Sequence, residues 1–129
     1  MATVTPTLTI TSTDALVDTL ALSVTDSLTI TGQCQYGAAV TGTGTKVDFF
    51  LDSAFGPSMV YFKNLSTSSS DRSGGSTESI KIYVDEELTL LIGPGEFAFF
   101  PFYAGGAGKL QLQTSANTVQ VEYAYFTRG

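Results

Sequence analysis

The sequence of 129 residues contains no histidine and no tryptophan, and it has a single cysteine, Cys34. Without histidine there is no base for a Ser-His-Asp or Cys-His nucleophile, and a zinc site of the Cys/His type is excluded. One cysteine cannot form an internal disulfide, and a lone thiol fits a reducing compartment better than secretion. We therefore interpret Cys34 as a small apolar side chain.

Basic residues are also few. Six Lys and Arg stand against twelve Asp and Glu, which gives a net charge of −6. Binding to nucleic-acid phosphates needs clustered basic residues, so we expect no nucleic-acid partner. No apolar run approaches the roughly 18 residues of a membrane helix, so we expect no membrane partner. The first ten residues, MATVTPTLTI, contain no Lys or Arg, so we expect no signal peptide.

What the chain has in abundance is threonine and serine in strand-like alternation. Thr occupies positions 3, 5, 7, 9 and 11, and Val4, Leu8 and Ile10 fall between them. This period of two predicts half-buried strands. Asp26 and Ser27 are predicted to form a turn, because short polar side chains can hydrogen-bond to their own backbone there. The same parity continues at Leu16, Leu20, Leu22, Val24, Leu28 and Ile30.

Residues 32–45, rich in glycine, are expected to form a loop, and residues 66–79 a polar loop. No long segment has a helical period. The sequence therefore predicts one all-β domain over residues 1–129, an antiparallel β-sandwich of jelly-roll-like form. Residues 1–11 are either its first strand or an N-terminal arm, and both alternatives stay open. Further strands are expected at 46–51, 58–65, 80–84, 87–92, 96–103, 109–114 and 118–126.

The stretch LLIGPGEFAFFPF, residues 90–102, contains a partial match to a dinucleotide-binding pattern. That pattern requires a helix after the glycines, whereas a strand-like aromatic segment ending in Pro follows here. Pro94 and Gly95 instead fit the two central positions of a type II turn, with positive φ at Gly95. We expect a corner at which the chain passes from one sheet to another.

The aromatic strand after this corner is expected to place alternate side chains on opposite faces. One pair, either Phe97 and Phe99 or Phe100 and Phe102, then lies in the core, and the other meets a neighbouring layer or subunit. The residues assigned to a possible interface are Phe97, Phe99, Phe100, Phe102, Tyr103 and Tyr125.

Three further motifs are interpreted as having no catalytic or ligand-binding role. The run Asp85-Glu86-Glu87 is interpreted as an exposed turn, because neighbours on a strand do not converge on one ligand. The segment 103–109 lacks the spacing of a phosphate loop. Asn64-Leu65-Ser66 is a chance glycosylation sequon. We assign no catalytic residue, no cofactor and no metal, and we expect no enzyme.

The second half of the chain resembles small all-β virion proteins of tailed bacteriophages. The likeness covers residues 58–127 and includes the Lys63-Asn64 pair at a strand end, the corner at residues 92–96 and the terminal strand of Val-x-Val-Glu-Tyr type at 119–123. The segments that carry it are MVYFKNLS, SIKIYVD, LTLLIGPGEFAFFPF and KLQLQTSANTVQVEYAYF.

The resemblance implies a structural protein of the virion, most of all a capsid decoration or cement protein. Such a protein is made in the host cytoplasm and binds the major capsid protein or another virion protein. The acidic charge favours the outer capsid surface over the DNA-filled lumen. Surplus apolar strand faces favour a homo-oligomer, with a trimer preferred. The alternatives are a tail, neck or fibre-base component and a carbohydrate-binding module.

Overall fold

The computed structural model describes residues 2–41, 46–51, 56–66, 78–103, 109–114 and 117–128. Within these residues the chain forms β-strands and no helix, so the predicted all-β class is confirmed. The strands are β1 Ala2–Val4, β2 Thr7–Ser12, β3 Leu20–Thr25, β4 Leu28–Thr41, β5 Val47–Leu51, β6 Ser58–Asn64, β7 Ile80–Val84, β8 Glu87–Ile92, β9 Phe97–Phe102, β10 Lys109–Thr114 and β11 Val119–Arg128.

The strands pair in antiparallel fashion into three sheets. A five-stranded sheet has the order β1-β4-β11-β6-β9, and a four-stranded sheet has the order β5-β10-β7-β8. The third sheet is the hairpin of β2 and β3 alone. Among the described residues, the hairpin therefore has no strand neighbour in either larger sheet.

The hydrophobic core is shared by the two larger sheets. Its fully buried residues include Val60 and Phe62 of β6, Ile80 and Ile82 of β7, and Leu110 of β10. Along β6 burial alternates residue by residue, and the strand is paired on both edges, by β11 and β9. β6 is therefore a central strand, in keeping with the apolar residues at positions 59–62.

The expectation of a loop over residues 32–45 was wrong for most of its length, because β4 runs to Thr41 and pairs with β11; residues 42–45 lie outside the described part of the chain. Two glycines explain the difference. A Cβ at Gly32 would come within 2.7 Å of Thr127 Cγ2, and one at Gly37 within 3.1 Å of Tyr123 Oη. These glycines make room for side chains of β11 rather than for a turn.

The corner between β8 and β9 has the geometry that Pro94-Gly95 predicts. Gly95 has φ 75°, and the Glu96 N–H donates to the Gly93 carbonyl at 3.0 Å. The Glu96 carboxylate closes the turn by accepting from the Gly93 N–H at 2.7 Å. The chain leaves the four-stranded sheet at Ile92 and enters the five-stranded sheet at Phe97.

The acidic run is an exposed hairpin turn between β7 and β8, as the sequence predicted. Asp85 has φ 54° and Glu86 φ 69°. Two consecutive positive φ values define the type I′ turn, whose twist suits a tight hairpin but which normally carries Asn-Gly. Here two residues with full side chains occupy the left-handed region.

The N-terminal segment divides between two sheets. β1 pairs with β4 at the edge of the five-stranded sheet, with Val4 opposite Leu28. The chain then enters the hairpin, whose base is closed by the Asp26 N–H donating to the Pro6 carbonyl at 3.2 Å. Residues 2–4 are thus a strand of the protein's own sheet, while residues 7–11 belong to the hairpin.

Candidate binding surface: the hairpin and the aromatic edge

The β2–β3 hairpin has one apolar face and one hydroxyl-bearing face. In its register Leu8 lies opposite Val24 and Ile10 opposite Leu22. Alternation puts these four side chains on one face, which we call the hairpin strip. Thr9 lies opposite Ser23 on the other face, where Thr7 also hydrogen-bonds to Thr25 across the strands at 3.1 Å.

The hairpin strip is uncovered. Its four side chains are between 42% and 53% exposed. The alternating sequence predicted strands with their apolar face buried, and that burial is absent here. Further along the same parity, Leu28 and Ile30 of β4 are buried. The same pattern therefore reaches the protein interior at one end and stays at the surface at the other.

An apolar groove of about 520 Å³ lies between the base of the hairpin and the outer face of β6 and β9. On the sheet side it is bounded by Met59, Tyr61, Phe97 and Phe99, which we call the sheet strip. The β6–β9 register places Tyr61 opposite Phe99 and Lys63 opposite Phe97, so these residues share the face that points away from the core. The remaining lining comes from Pro6, Thr7, Leu8, Val24, Asp26, Leu28 and Ala98.

The six aromatic residues assigned to a possible interface separate into two groups. Phe97, Phe99 and Tyr103 are 63%, 39% and 66% exposed. Phe100 and Phe102 are half-buried and pack against the core, and Tyr125, 9% exposed, lies within it. The aromatic strand thus turns Phe100 and Phe102 inward, and Tyr125 has little surface to offer a partner.

The loop that joins β2 to β3 carries an apolar tip that the sequence analysis did not assign to a site. Leu16 and Val17 are exposed there, between Asp14 and Asp18. The Ser12 hydroxyl fixes the start of this loop by accepting from the N–H groups of Asp14 and Ala15. The break in strand pattern between two apolar strands could have indicated such a tip.

A second feature of the outer face is a carboxylate held by two phenols. Tyr36 Oη donates to Glu122 Oε2 at 2.7 Å, and Tyr61 Oη donates to Glu122 Oε1 at 2.9 Å. These bonds, with the nearby Lys63 charge, hold the pKa of Glu122 below its ordinary value. Burial and the bond to Glu122 raise the pKa of Tyr61 to about 12. Glu122 is therefore an ionised acceptor at neutral pH.

Asn64 is a buried structural residue. Its amide nitrogen donates to the carbonyls of Glu78 and Ile92, at 2.7 and 3.1 Å, and its side-chain oxygen accepts from the Ser66 N–H at 2.9 Å. Its main chain bonds to Gly95 and Glu96 at the corner. The nitrogen that a glycan would modify is therefore buried and occupied, in agreement with a chance sequon.

The other polar residues singled out in the sequence do not converge. Cys34, interpreted as a small apolar side chain, is a free thiol exposed on β4. Asp85, Glu86 and Glu87 are exposed at their turn. Across the described ranges, no three or more Asp, Glu or Cys side chains are grouped as metal ligands would be. Residues 104–108 of the glycine-rich segment 103–109 lie outside the described part of the chain.

No family model, curated protein or solved structure matches this chain. The described residues also contain no helix with the length and apolar character needed to cross a membrane.

Proposed function

We propose that this protein is a non-enzymatic structural component of a virion, a capsid decoration or cement protein that stabilises a phage head from outside. One observation supports it above the others: the apolar surface formed by the hairpin strip and the sheet strip. Removing apolar surface from water is the main driving force of stable protein association. A large exposed apolar patch marks an interaction site on a soluble protein.

The proposed architecture is a jelly-roll-like β-sandwich. Two antiparallel sheets contribute to one core, and the Gly93–Glu96 corner carries the chain from one sheet to the other. Passage between packed sheets is a feature of sandwich topologies. A rigid body of this kind would present its binding surface in a fixed orientation on a repeating lattice.

The proposed partners are the major capsid protein or another virion protein, together with further copies of this chain, a trimer being preferred. The net charge of −6 supports an outer position, because packaged DNA would repel an acidic protein. The proposed site of action is therefore the outer capsid surface, after synthesis in the host cytoplasm. The resemblance of residues 58–127 to phage virion proteins supports the same assignment.

The experiment is co-sedimentation of labelled protein with phage capsids that lack it, followed by imaging of its position on the particle. Replacing Ile10 and Leu22 by Ser should reduce attachment, because it removes half of the hairpin strip. The matched control, Thr9→Ala with Ser23→Ala, changes the paired positions of the opposite face and should attach normally. Label found on the tail or neck would show that the protein is a tail or neck component. Full attachment of the Ile10/Leu22 variant would show that the hairpin strip is not needed for binding to the capsid.

A carbohydrate-binding module is the second candidate. The exposed Tyr36 ring and the ionised Glu122 carboxylate, bonded to Tyr36 and Tyr61, are groups that stack on and hydrogen-bond to sugars. Titration with soluble glycans distinguishes it. Binding that Glu122→Gln and Tyr36→Phe abolish, together with normal particles lacking the protein, would favour this alternative.

A further inference from the structure

We propose that the hairpin strip of one copy of this chain packs on the sheet strip of a second copy, so that this one contact assembles the homo-oligomer. This contact specifies how copies of the chain associate in the proposed function, and only its biological role rests on that function. Its test needs the isolated protein alone.

The hairpin needs an apolar partner. A two-stranded sheet is marginally stable in water unless its hydrophobic face packs against something. In the single chain only the base of the strip, Leu8 and Val24, reaches the groove, whereas Ile10 and Leu22 are not among its lining residues. The outer half of the hairpin therefore has an apolar face that its own sheet does not cover.

The exposed apolar area is large enough for a weak contact between copies of this chain. With roughly 150–200 Å² for a fully exposed residue of these sizes, the exposed fractions of the hairpin strip, Leu16, Val17, Phe97 and Phe99 amount to roughly 800 Å². The largest apolar patch of a typical monomer covers about 300–600 Å². A hairpin-on-sheet contact takes the hairpin side from one copy and the sheet side from the other, so it buries roughly 800 Å² in total, the size of a weak interface that is repeated around a closed ring of copies.

Charge favours the hairpin-on-sheet arrangement over two hairpins face to face. Residues 2–41 contain no Lys or Arg, and their three charged residues are Asp14, Asp18 and Asp26. Two hairpins in contact would bring these acids together and would bury only the four residues of each strip. On the sheet side, Lys63 lies opposite Phe97 on β9 and opposite Glu122 on β11, so the acidic hairpin would meet a balanced pair of charges instead of a second group of acids.

The test uses two double variants that leave the net charge unchanged. Ile10→Ser with Leu22→Ser removes the hairpin side of the contact, and Phe97→Ser with Phe99→Ser removes the sheet side. Thr9→Ala with Ser23→Ala is the control on the opposite face of the hairpin. Sedimentation equilibrium measures association of each protein and of equimolar mixtures, and thermal melts establish that each is folded.

The wild type and the control should associate, and each double variant should lose at least about tenfold in association constant, since about two large apolar side chains leave the contact. A mixture of the two double variants should associate more tightly than either alone, because one intact hairpin then meets one intact sheet.

Three results would overturn the inference: a wild type that stays monomeric up to sub-millimolar concentration, a sheet variant that associates like the wild type, or a mixture no tighter than its components. If Phe97→Ser with Phe99→Ser does not fold, the single change at the more exposed Phe97 takes its place, with the same expected loss and recovery. Attachment to capsids by a wild-type protein that stays monomeric in solution would refute this contact and leave the proposed function standing.

Discussion

At the scale of single residues, Asn64 connects β6 to several other parts of the fold. Its side chain is fully buried and bonds to residues 66, 78 and 92, while its main chain bonds to residues 95 and 96. A buried amide with this many partners is costly to replace, because each partner loses a hydrogen bond away from water. The corner between the two sheets depends on it.

Replacing Asn64 by Asp should destabilise the protein by about 2–4 kcal/mol. The change substitutes an oxygen for the nitrogen that donates to the carbonyls of Glu78 and Ile92, so attraction becomes repulsion at both. Chemical denaturation measures the effect. Gln120→Glu, the same change of amide to carboxylate at an exposed position of β11, is the control, and a cost there equal to that at Asn64 would refute the role assigned to the buried amide.

The Glu122 carboxylate, which accepts hydrogen bonds from Tyr36 and Tyr61, should make the stability of the protein depend on pH in the acid range. Because the folded pKa of Glu122 lies below its ordinary value of 4.5, its ionised form stabilises the native state above that value. The contribution is lost as the pH falls through the lowered folded pKa. Glu122→Gln should therefore melt at a lower temperature than the wild type at neutral pH.

The difference in melting temperature between wild type and Glu122→Gln should disappear in acid, where Glu122 itself becomes neutral. Melting curves over the acid range measure it. Tyr36→Phe with Tyr61→Phe removes both donors and should flatten the same pH dependence. If the melting temperatures of wild type and Glu122→Gln differ by the same amount down to the lowest pH, the stabilising role assigned to ionised Glu122 is contradicted.

At the scale of elements, two turns with positive φ respond to opposite substitutions. Gly95, at φ 75°, occupies a conformation that a β-branched residue tolerates poorly. Gly95→Val should cost roughly 1–3 kcal/mol. Glu86, at φ 69°, is the second central residue of a type I′ turn, where Gly is preferred. Glu86→Gly should stabilise the protein by about 1 kcal/mol because it relieves that strain.

Urea denaturation measures the change in unfolding free energy of Gly95→Val and of Glu86→Gly. Glu86→Gln removes the same charge but keeps a full side chain, so the difference between Glu86→Gly and Glu86→Gln is attributable to backbone conformation. Destabilisation by Glu86→Gly would show that the turn gains more from the Glu86 side chain than it loses in strain.

At the scale of the whole molecule, the hairpin and the core are separate. In the part of the chain that the structure describes, the buried core residues come from strands other than β2 and β3. The hairpin begins and ends at neighbouring points, since the Asp26 N–H donates to the Pro6 carbonyl at its base. The molecule is thus a two-sheet body with a projecting apolar appendage. β1, by contrast, is paired within the body, which bears on where a truncation is tolerated.

Deleting residues 7–25 and joining Pro6 to Asp26 through two glycines should leave a cooperatively folded domain. The deletion removes no core side chain and keeps β1 paired with β4. The expected loss is in association and capsid attachment. Thermal melts, sedimentation and capsid binding measure the three properties. Failure of the shortened chain to fold would show that the hairpin is an integral part of the body.

Much of the architecture could be predicted from local patterns. Period-two alternation located most of the strands from β5 to β11, and the absence of a helical period excluded helices. Pro94-Gly95 predicted both the positive φ and the passage between sheets. These features depend on steric preferences of a few consecutive residues, so the sequence determines them by itself.

Tertiary structure decided what those strands meet. Gly32 and Gly37 indicate a loop by composition, but Thr127 and Tyr123, some ninety residues away, occupy the space where their Cβ atoms would lie and make β4 a strand. Alternation likewise put Leu8 and Ile10 on the same face as Leu22 and Val24, yet the two large sheets close over Leu28 and Ile30 and leave the hairpin outside. A pattern of side chains defines a face, whereas burial depends on which distant strands have the room to cover it.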